Sequence, residues 1–425
     1  MNHPTSISTD SDLSSRRDLA RPDGGLCRTA VLARLKNLAN GEVTLLERDE
    51  RVTFGVATEA FPVSVTVRVH DASIYRDIAL GGDIAAAEGY MAEKWTVNDL
   101  TGLIRIFAAN PEVLNQIEHG VGRVLNPLLR LNHFLRRNRK SQSRKNIQAH
   151  YDLGDDLFSL FLDPTMSYSS AVYPRSDSSL DEAALHKLDL VCQKLELTEA
   201  DHLLEIGTGW GGLAVHAAGN YGCRVTTTTI SDNQYERAIE RAREAGLSDR
   251  ITVLKHDYRD LTGHYDKLVS IEMIEAVGHE YMDTYLKLCS QRLKPNGRAL
   301  FQAILMNDRN FEKYRSSVDF IQKYIFPGGA LPSLKSIMDS VHNVTDFKLA
   351  GVQDITQDYA RTLRDWRERF LEKLHEVRLL GYPEEFIRMW EYYLCYCEGG
   401  FTERAINTVQ IVLDKPHCEL ATRHL

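Results

Sequence analysis

The sequence predicts an α/β fold in which a doubly wound parallel sheet follows a small α+β domain. The chain has 425 residues, a length typical of two or three domains. From His202 onward, short apolar runs alternate with segments of helical periodicity, as in the β-α units of a parallel sheet. A glycine-rich turn, residues 203–212 (LLEIGTGWGG), joins the first of these runs to a helical segment.

The composition is that of an ordinary globular protein. Hydrophobic residues make up 43% and charged residues 26% of the chain, which excludes disordered, collagen-like and disulfide-scaffold classes. The longest apolar run is Tyr392 to Cys397, whereas a membrane-spanning helix needs about 20 such residues. Seven cysteines without CxxC spacing predict reduced thiols and no metal site. The polar N-terminus lacks the apolar stretch of a secretory signal, so we expect a cytoplasmic protein.

The N-terminal part of the chain is predicted to contain a tail and a first domain. Residues 1–24 are rich in Ser, Thr, Asp and Pro, and we expect a disordered tail. Residues 25–122 are predicted to form the small α+β domain. Helical spacing from Thr29 to Leu38 is followed there by strand-like alternation from Glu42 to Val69 and then by two helical segments.

Residues 123–149 are predicted to form a basic amphipathic linker. This segment has eight Lys or Arg and no acidic residue; subtracting these charges from the total of −8 leaves −16 for the other 398 residues. A basic amphipathic segment favours an anionic bilayer surface, at roughly 1 kcal/mol for each basic residue. A solvated linker helix and a nucleic-acid patch are the alternatives. We expect peripheral contact with the inner face of the membrane and no nucleic-acid partner.

Residues 150–425 are predicted to form the doubly wound domain. Apolar runs bounded by turn residues predict strands at residues 202–207, 223–230, 251–256, 266–273 and 297–304, with two more at 347–355 and 408–413. A nicotinamide site usually ends its second strand with an acid, but this strand ends in Thr229-Ile230-Ser231. The third strand ends near Asp257 and Tyr258, which can contact an adenine ring. This layout resembles the fold of S-adenosylmethionine (SAM) methyltransferases.

Five blocks of sequence extend the resemblance to one family. They are NIQAHYDLGDDLFSLFLDPTMSYSSAVYP (146–174), EMIEAVGHE (272–280), DFIQKYIFPGGALPS (319–333), DYARTLRDW (358–366) and YYLCYCEGGF (392–401). Together they resemble the cyclopropane-fatty-acyl-phospholipid synthase family, which includes the mycolic-acid cyclopropane synthases, in register over residues 146 to 415. The N-terminal domain and basic linker resemble the longer bacterial members that carry an extra lipid-binding domain.

The resemblance implies a Rossmann-like SAM methyltransferase domain that acts on the cis double bond of an unsaturated phospholipid acyl chain, and a possible homodimer. The positions that it implies for SAM are Tyr168, Ser169, Leu203, Leu204, Glu205, Ile206, Gly207, Thr208, Gly209, Trp210, Gly211, Thr229, Ile230, Ser231, Asp232, Asn233, Gln234, Tyr258 and Arg259. Methyl transfer to an alkene produces a carbocation, which a water-free apolar tunnel protects. A base then removes a proton from the new methyl group to close a cyclopropane ring.

The resemblance also implies the catalytic residues. Glu275, Tyr359 and Cys397 match the family's Glu, Tyr and Cys, while Ser170 stands in place of a second Cys and Gln302 in place of a His. The family's base is thought to be a bicarbonate ion, and Gln302 cannot carry a positive charge beside it as imidazole can. The resemblance implies a cyclopropane product, and because Gln302 and Ser170 depart from the family's residues, a methyl- or methylene-branched chain is the alternative. A lipid-binding protein that has lost activity is the rival from another class.

Overall fold

The structure is a computed structural model that describes residues 25–113 and 154–419. The predicted disordered tail, residues 1–24, and the predicted basic linker, residues 123–149, lie outside these ranges. Within the described ranges no helix is both long enough and apolar enough to cross a membrane.

The first described range forms a four-stranded sheet with helices. In chain order its elements are α1 (Gly25–Leu35), β1 (Gly41–Glu47), β2 (Glu50–Val56), β3 (Ser64–Val69), α2 (Ser73–Met91), β4 (Trp95–Val97) and α3 (Leu100–Ala108). The strand order is β2-β1-β3-β4, with β1 and β3 parallel and the other pairs antiparallel. This arrangement confirms the predicted α+β domain. Just before helix α2, the side chain of Asp71 accepts a hydrogen bond from the N–H of Ser73 at 2.8 Å.

The second range forms an α/β domain. Its elements are α4 (Asp155–Ser159), α5 (Leu180–Leu195), β5 (His202–Ile206), α6 (Gly212–Tyr221), β6 (Arg224–Thr228), α7 (Asp232–Glu244), β7 (Ile251–Leu254), β8 (Tyr265–Ile271), α8 (Met282–Arg292), β9 (Leu293–Met306), α9 (Phe311–Arg315), a π-helix (Ile321–Ile325), α10 (Leu334–Val344), β10 (Lys348–Asp354), α11 (Thr356–Glu372), α12 (Leu374–Leu379), α13 (Glu384–Thr402) and β11 (Ile406–Asp414). Short 3₁₀ turns lie at Tyr258–Asp260, Ile274–Ala276 and His279–Tyr281.

The seven-stranded sheet confirms the predicted doubly wound fold. Its order is β10-β11-β9-β8-β5-β6-β7. The five strands from β9 to β7 are parallel, whereas β11 is antiparallel to both of its neighbours. All seven strands predicted from apolar runs are present, and β9 starts four residues earlier than predicted, at Leu293. The strand order reverses beside β5, where α/β proteins bind ligands.

The small domain packs against α13 of the α/β domain. Tyr90 on α2 donates a hydrogen bond from its hydroxyl to Glu391, at 2.9 Å. Arg105 on α3 pairs with Glu403 just after α13, at 2.7 Å. One buried apolar cluster includes residues of both domains. This shared packing encloses a cavity of about 1260 Å³, which extends from the carboxyl ends of the parallel strands into the small domain.

Candidate active site

Side chains from several strands converge at the carboxyl end of the parallel sheet. β6 leads to Thr229, β8 leads to Glu272, and β9 carries Gln302. Ile271 pairs in register with Gln302, and the N–H of Glu272 donates to the carbonyl of Gln302 at 2.8 Å. Because the carboxyl ends of parallel strands share one edge, these residues lie next to the glycine-rich turn that follows β5.

The glycine-rich turn has backbone angles that favour glycine. Gly207 has φ of 100° and Gly209 has φ of 51°, both in the left-handed region. At Gly212, the first residue of α6, a Cβ would lie 2.6 Å from the carbonyl oxygen of Thr165. Small residues therefore allow this turn to pack closely against Thr165 and to line the cavity at the N-terminus of α6, where the first backbone N–H groups of the helix lie. This arrangement suits the polar end of a cofactor.

Glu205, at the end of β5, provides a test of whether SAM fits. Its side chain is buried, and its Oε2 atom has no hydrogen-bond partner within residues 25–113 and 154–419. Burial raises the pKa of this carboxyl to about 8. A buried acceptor without a partner is rare and costly. Glu205 lines the cavity, so a cationic amino group such as that of SAM fits beside it.

Tyr168 and Ser169 lie on another wall of the same cavity. The hydroxyl of Tyr168 shares a hydrogen bond with that of Tyr393 at 2.8 Å, and its ring stacks on Trp366. Lys187, a buried residue of α5, donates to Oγ of Ser169 at 3.0 Å. Burial lowers the pKa of Lys187. These contacts hold both residues in place on the wall of the cavity that also includes the glycine-rich turn. Sequence reasoning had not singled out Lys187.

Most of the other positions expected to hold SAM also line the cavity. They are Ile206, Gly207, Thr208, Gly209, Trp210, Thr229, Ile230, Gln234, Tyr258 and Arg259. The hydroxyl of Thr229 bonds to the amide oxygen of Gln234 at 2.9 Å, and Arg259 pairs with Asp257 at 2.7 Å. Asp257 is thus engaged by a neighbouring guanidinium at the place where an adenine contact was expected.

Six of the expected positions lie outside the cavity lining. They are Leu203, Leu204, Gly211, Ser231, Asp232 and Asn233. Leu203 and Leu204 are fully buried on β5, where they pack into the cores on either side of the sheet. Ser231 caps α7 by accepting from the N–H of Gln234, and Asp232 pairs with Lys255 at 2.6 Å. Several of these residues support the walls of the cavity without facing it.

Glu272 is the centre of a hydrogen-bond cluster beside the cavity. Its Oε1 accepts from the backbone N–H of Ser170 and from Nε2 of Gln302, both at 2.8 Å. Its Oε2 accepts from the hydroxyl of Tyr359, also at 2.8 Å. Burial raises the pKa of Glu272, while these three donors favour the charged form. The structure thus brings together Ser170, Gln302 and Tyr359, and it places a carboxylate between them.

The backbone of Glu272 is strained. Its φ is 47°, in a region where a residue with a Cβ costs about 1–2 kcal/mol more than glycine. Glu272 immediately follows the buried strand β8 and lines the cavity. Strain of this kind persists where the surrounding structure requires it, and it clusters at functional sites. The resemblance implies a catalytic role for Glu275 and did not single out Glu272, which begins the same motif directly after a strand end.

Glu275 lies one turn further along, in the short 3₁₀ helix Ile274–Ala276. Its Oε1 accepts from the backbone N–H of Ile304, and its Oε2 has no partner within the described ranges. Burial, together with the negative charge of Glu272, raises the pKa of Glu275 to about 8. Two buried carboxyl groups close together do not both ionise readily, so they favour a state with one charge between them.

The remaining wall of the cavity is apolar. It includes Tyr359 and Leu363 from α11, Cys397 and Phe401 from α13, and Ile406 from β11. Burial raises the pKa of the Cys397 thiol, so this side chain is a neutral part of the wall. An apolar cavity next to a buried carboxylate and a cofactor turn suits the reaction of an aliphatic chain.

The comparisons with known proteins agree with this geometry. The family model described as mycolic acid cyclopropane synthetase matches residues 138–411. A tuberculostearic acid methyltransferase of Mycobacterium tuberculosis is 36% identical over 349 residues, covering 80% of this chain and 81% of the relative. A cyclopropane-fatty-acyl-phospholipid synthase of Escherichia coli is 37% identical over 353 residues, covering 82% and 87%.

A solved structure supports the cofactor. The mycolic acid cyclopropane synthase CmaA1, in complex with SAH and CTAB, is 31% identical with a TM-score of 0.60, covering 64% of this chain and 98% of that one. SAH is the form of SAM that remains after methyl transfer, which agrees with the fit of SAM at Glu205. The chain therefore belongs to the mycolic acid cyclopropane synthetase family and is a SAM-dependent methyltransferase that acts on lipid chains.

Proposed function

We propose that this protein transfers a one-carbon unit from SAM to the cis double bond of an unsaturated fatty-acyl chain of a phospholipid, with Glu272 as the proton acceptor. The observation that supports this most directly is the cluster in which Ser170, Gln302 and Tyr359 hold the carboxylate of Glu272 beside an apolar cavity. Bound SAM supplies the electrophilic methyl group.

The residues of the chain have separate tasks in this reaction. A carbon–carbon bond forms between the methyl group and one alkene carbon as the carbon–sulfur bond breaks, and the other alkene carbon becomes cationic. The apolar wall around Leu363 and Phe401 keeps water from the cation. Glu272 removes one proton, which afterwards leaves to solvent. Its negative charge also stabilises the nearby cation before the proton is removed.

We propose that Glu272 takes the place of the bicarbonate ion. A bicarbonate bound between the same groups would need the N–H of Ser170, the amide of Gln302 and the hydroxyl of Tyr359, and all three already donate to Glu272. A second anion would also lie against two buried carboxyl groups, which repel it. Bicarbonate therefore does not fit this site alongside the side chain of Glu272.

The product follows from what happens to the cation. Loss of a methyl proton while the charge is on the neighbouring carbon closes a cyclopropane ring. A hydride shift to that carbon first, followed by loss of a methyl proton, leaves a methylene branch. The resemblance associates ring closure with a His and bicarbonate, and here Gln302 and Glu272 replace them. We therefore propose the branched chain as the principal product, with the cyclopropane as the second candidate.

Deuterium labelling tests both the reaction and the product. Purified enzyme is given SAM with a CD₃ group and vesicles of a phospholipid with one oleoyl chain, and the lipids are analysed by mass spectrometry and proton NMR. Two retained deuteriums in the labelled lipid, together with vinylidene protons in the product made from unlabelled SAM, indicate the methylene branch. Cyclopropyl protons would overturn the branched product, three deuteriums would indicate simple methylation, and no label in any lipid would overturn the proposed function.

We also propose that the enzyme is cytoplasmic and binds the inner face of the membrane from the surface. The eight basic residues between 123 and 149 support this proposal, since they lie in an otherwise acidic chain. The substrate lies in the bilayer, so an enzyme that visits the bilayer surface has access to it. A homodimer remains a prediction.

A further inference from the structure

Three glutamines lie side by side on neighbouring strands of the seven-stranded sheet. Gln302 of β9 pairs in register with Gln410 of β11, and Gln410 pairs in register with Gln353 of β10. Side chains that are paired in this way share one face of the sheet and can bond to one another. Gln302 and Gln410 are only 1% and 0% exposed. A buried amide costs free energy unless its nitrogen and its oxygen both have partners, so these side chains depend on the groups around them.

A buried lysine contacts two of these glutamines. Lys194, in the last turn of α5, donates from Nζ to Oε1 of Gln410 at 2.7 Å and also to Oε1 of Gln353. Nε2 of Gln410 donates to Oε1 of Gln302 at 2.9 Å, and Nε2 of Gln302 donates to Glu272 at 2.8 Å. An unbroken hydrogen-bond path, with two glutamines between its ends, therefore joins Lys194 to Glu272.

The ammonium group of Lys194 has no acidic partner within residues 25–113 and 154–419. Arg298 of β9 donates to the backbone carbonyl of Lys194 at 3.1 Å, and the carboxylates of Glu196 and Asp414 both pair with this arginine. Burial lowers the pKa of Lys194 to about 8, so the side chain is mostly protonated at neutral pH. A buried cation without a counter-ion is costly, which makes Lys194 a candidate for a role beyond packing.

The two ends of the path determine its direction. An ammonium group has only donors and a carboxylate only acceptors, whereas a glutamine amide can be turned either way. Because Lys194 donates, the oxygen of Gln410 faces it, and the nitrogen of Gln410 then faces Gln302. The oxygen of Gln302 is thereby occupied, and its nitrogen faces Glu272. Turning either amide round would place like groups against each other at both of its contacts.

We propose that Lys194 is a positioning residue for methyl transfer, which acts through Gln410 to hold the amide nitrogen of Gln302 toward the catalytic carboxylate. The inference rests on the proposed function, in which Glu272 accepts the proton. An N–H group beside this carboxylate stabilises its charged form, whereas an amide oxygen in the same place would repel it. Lys194 and Gln410 do not line the cavity, so their effect on the reaction passes through Gln302.

The first test is an infrared titration, which needs no turnover. The carboxyl band that Glu272→Gln removes is followed as the pH is varied. Gln410→Leu interrupts the path while Lys194 keeps its charge, and we expect the midpoint of the band to rise by roughly half to one pH unit. Gln353→Leu is the matched control, because it removes the other acceptor of Lys194 and leaves the path intact. It should leave the midpoint unchanged.

Both variants preserve the other groups that influence the charge of Glu272. These groups are Lys187 of α5, Glu275 of the 3₁₀ turn and Tyr359 of α11. A difference between the two midpoints therefore reports on the path itself.

The second test is a double-mutant cycle that follows turnover. Lys194→Met removes the donor and keeps most of the side chain, so we expect kcat to fall about two- to tenfold while SAM affinity is unchanged. In an enzyme that already carries Gln302→Leu, the same substitution should lower kcat no further, because the path is already interrupted. A residue that acts only on stability would lower kcat by the same factor in both backgrounds.

The outcomes separate this inference from the proposed function. An unmoved midpoint in Gln410→Leu, or an equal rise in Gln353→Leu, would overturn the positioning role of Lys194. Equal losses of kcat from Lys194→Met in the two backgrounds would overturn it as well. Absence of methyl transfer by the unmodified enzyme would instead overturn the proposed function, and the infrared titration would still decide whether Lys194 acts on Glu272 through the two amides.

Discussion

Glu272→Gln is the substitution that tests the proposed mechanism most directly. The amide keeps the shape of the side chain and can still accept from Ser170 and Gln302 through its oxygen. Its nitrogen replaces the oxygen that accepts from Tyr359, so that this one hydrogen bond must reverse. The change thus preserves most of the cluster while it removes the group that can accept a proton.

The expected loss follows from the role of a general base. A positioned base contributes about 10²- to 10⁴-fold to the rate, or about 3–5 kcal/mol of barrier. We expect kcat to fall by that factor in an assay that follows label from SAM into lipid. SAM affinity, measured by calorimetry, should change far less, because Glu205 and the glycine-rich turn are untouched.

Glu280→Gln is the matched control, since Glu280 is an exposed acid in the same motif. It should leave both kcat and SAM affinity close to those of the unmodified enzyme. A Glu272→Gln enzyme that retained more than about half of its kcat would refute the assignment of the base. Equal loss of SAM binding and turnover would show that Glu272 acts on the cofactor site.

Four further predictions address the neighbouring groups. Tyr359→Phe removes one hydrogen-bond donor to Glu272, so we expect kcat to fall about tenfold. The acid limb of the pH profile of kcat should move to higher pH, because a buried carboxylate with fewer donors binds a proton more readily. An unmoved acid limb would contradict this. The Glu272→Gly enzyme should be inactive in bicarbonate-free buffer, and added bicarbonate should partly restore its activity. Adding Gln302→His to this variant should lower the bicarbonate concentration that is required. If the activity of Glu272→Gly did not depend on bicarbonate, the proposal that Glu272 replaces the ion would be contradicted. Burial raises the pKa of Glu205 to about 8, above its value in the unfolded chain, so the stability that this group contributes is fully present below about pH 4.5 and is lost as the pH rises to about 8. Glu205→Gln should therefore remove roughly 1.4 kcal/mol per pH unit from the fall in the free energy of unfolding of SAM-free protein between about pH 5 and 8, as calorimetry at several pH values can check. Replacing Arg136, Arg137, Arg139 and Lys140 with Gln should weaken binding to anionic vesicles and reduce its salt dependence, and unchanged binding in a sedimentation assay would exclude the basic segment as the contact.

The sequence predicts the parallel sheet well because its strands depend on local patterns. The run that becomes β5 and the glycine-rich turn after it are recognisable without any partner, since strand periodicity and glycine conformations are properties of short segments. The positions that the resemblance implies for SAM lie mostly at the same edge of the sheet. The side chains of Leu203 and Leu204 pack into the cores on either side of the sheet, because alternate residues of a buried strand face opposite ways.

The hydrogen-bond cluster around Glu272 was harder to predict because its members come together only in the folded chain. Ser170, Glu272, Gln302 and Tyr359 are far apart in sequence, and nothing local shows that three donors share one carboxylate. The resemblance implies a catalytic role for Glu275, whereas we propose Glu272, three residues away in the same motif. The extension of the cavity into the small domain is likewise a product of packing, since the same apolar residues would be predicted to fill a solid core.

The backbone at Glu272 links these observations. A glycine at this position would relieve a φ of 47°, and it would leave room between Ser170, Gln302 and Tyr359 for a small anion. The chain instead bears the strain and places its own carboxylate there. A side chain has a fixed position and cannot diffuse away, whereas a bound ion has to be captured from solution at a cost in entropy. Gln302, in place of the family's His, is consistent with this change. A mobile anion is captured more easily by a positively charged group, whereas a carboxylate that belongs to the chain needs only a neutral donor such as the amide of Gln302.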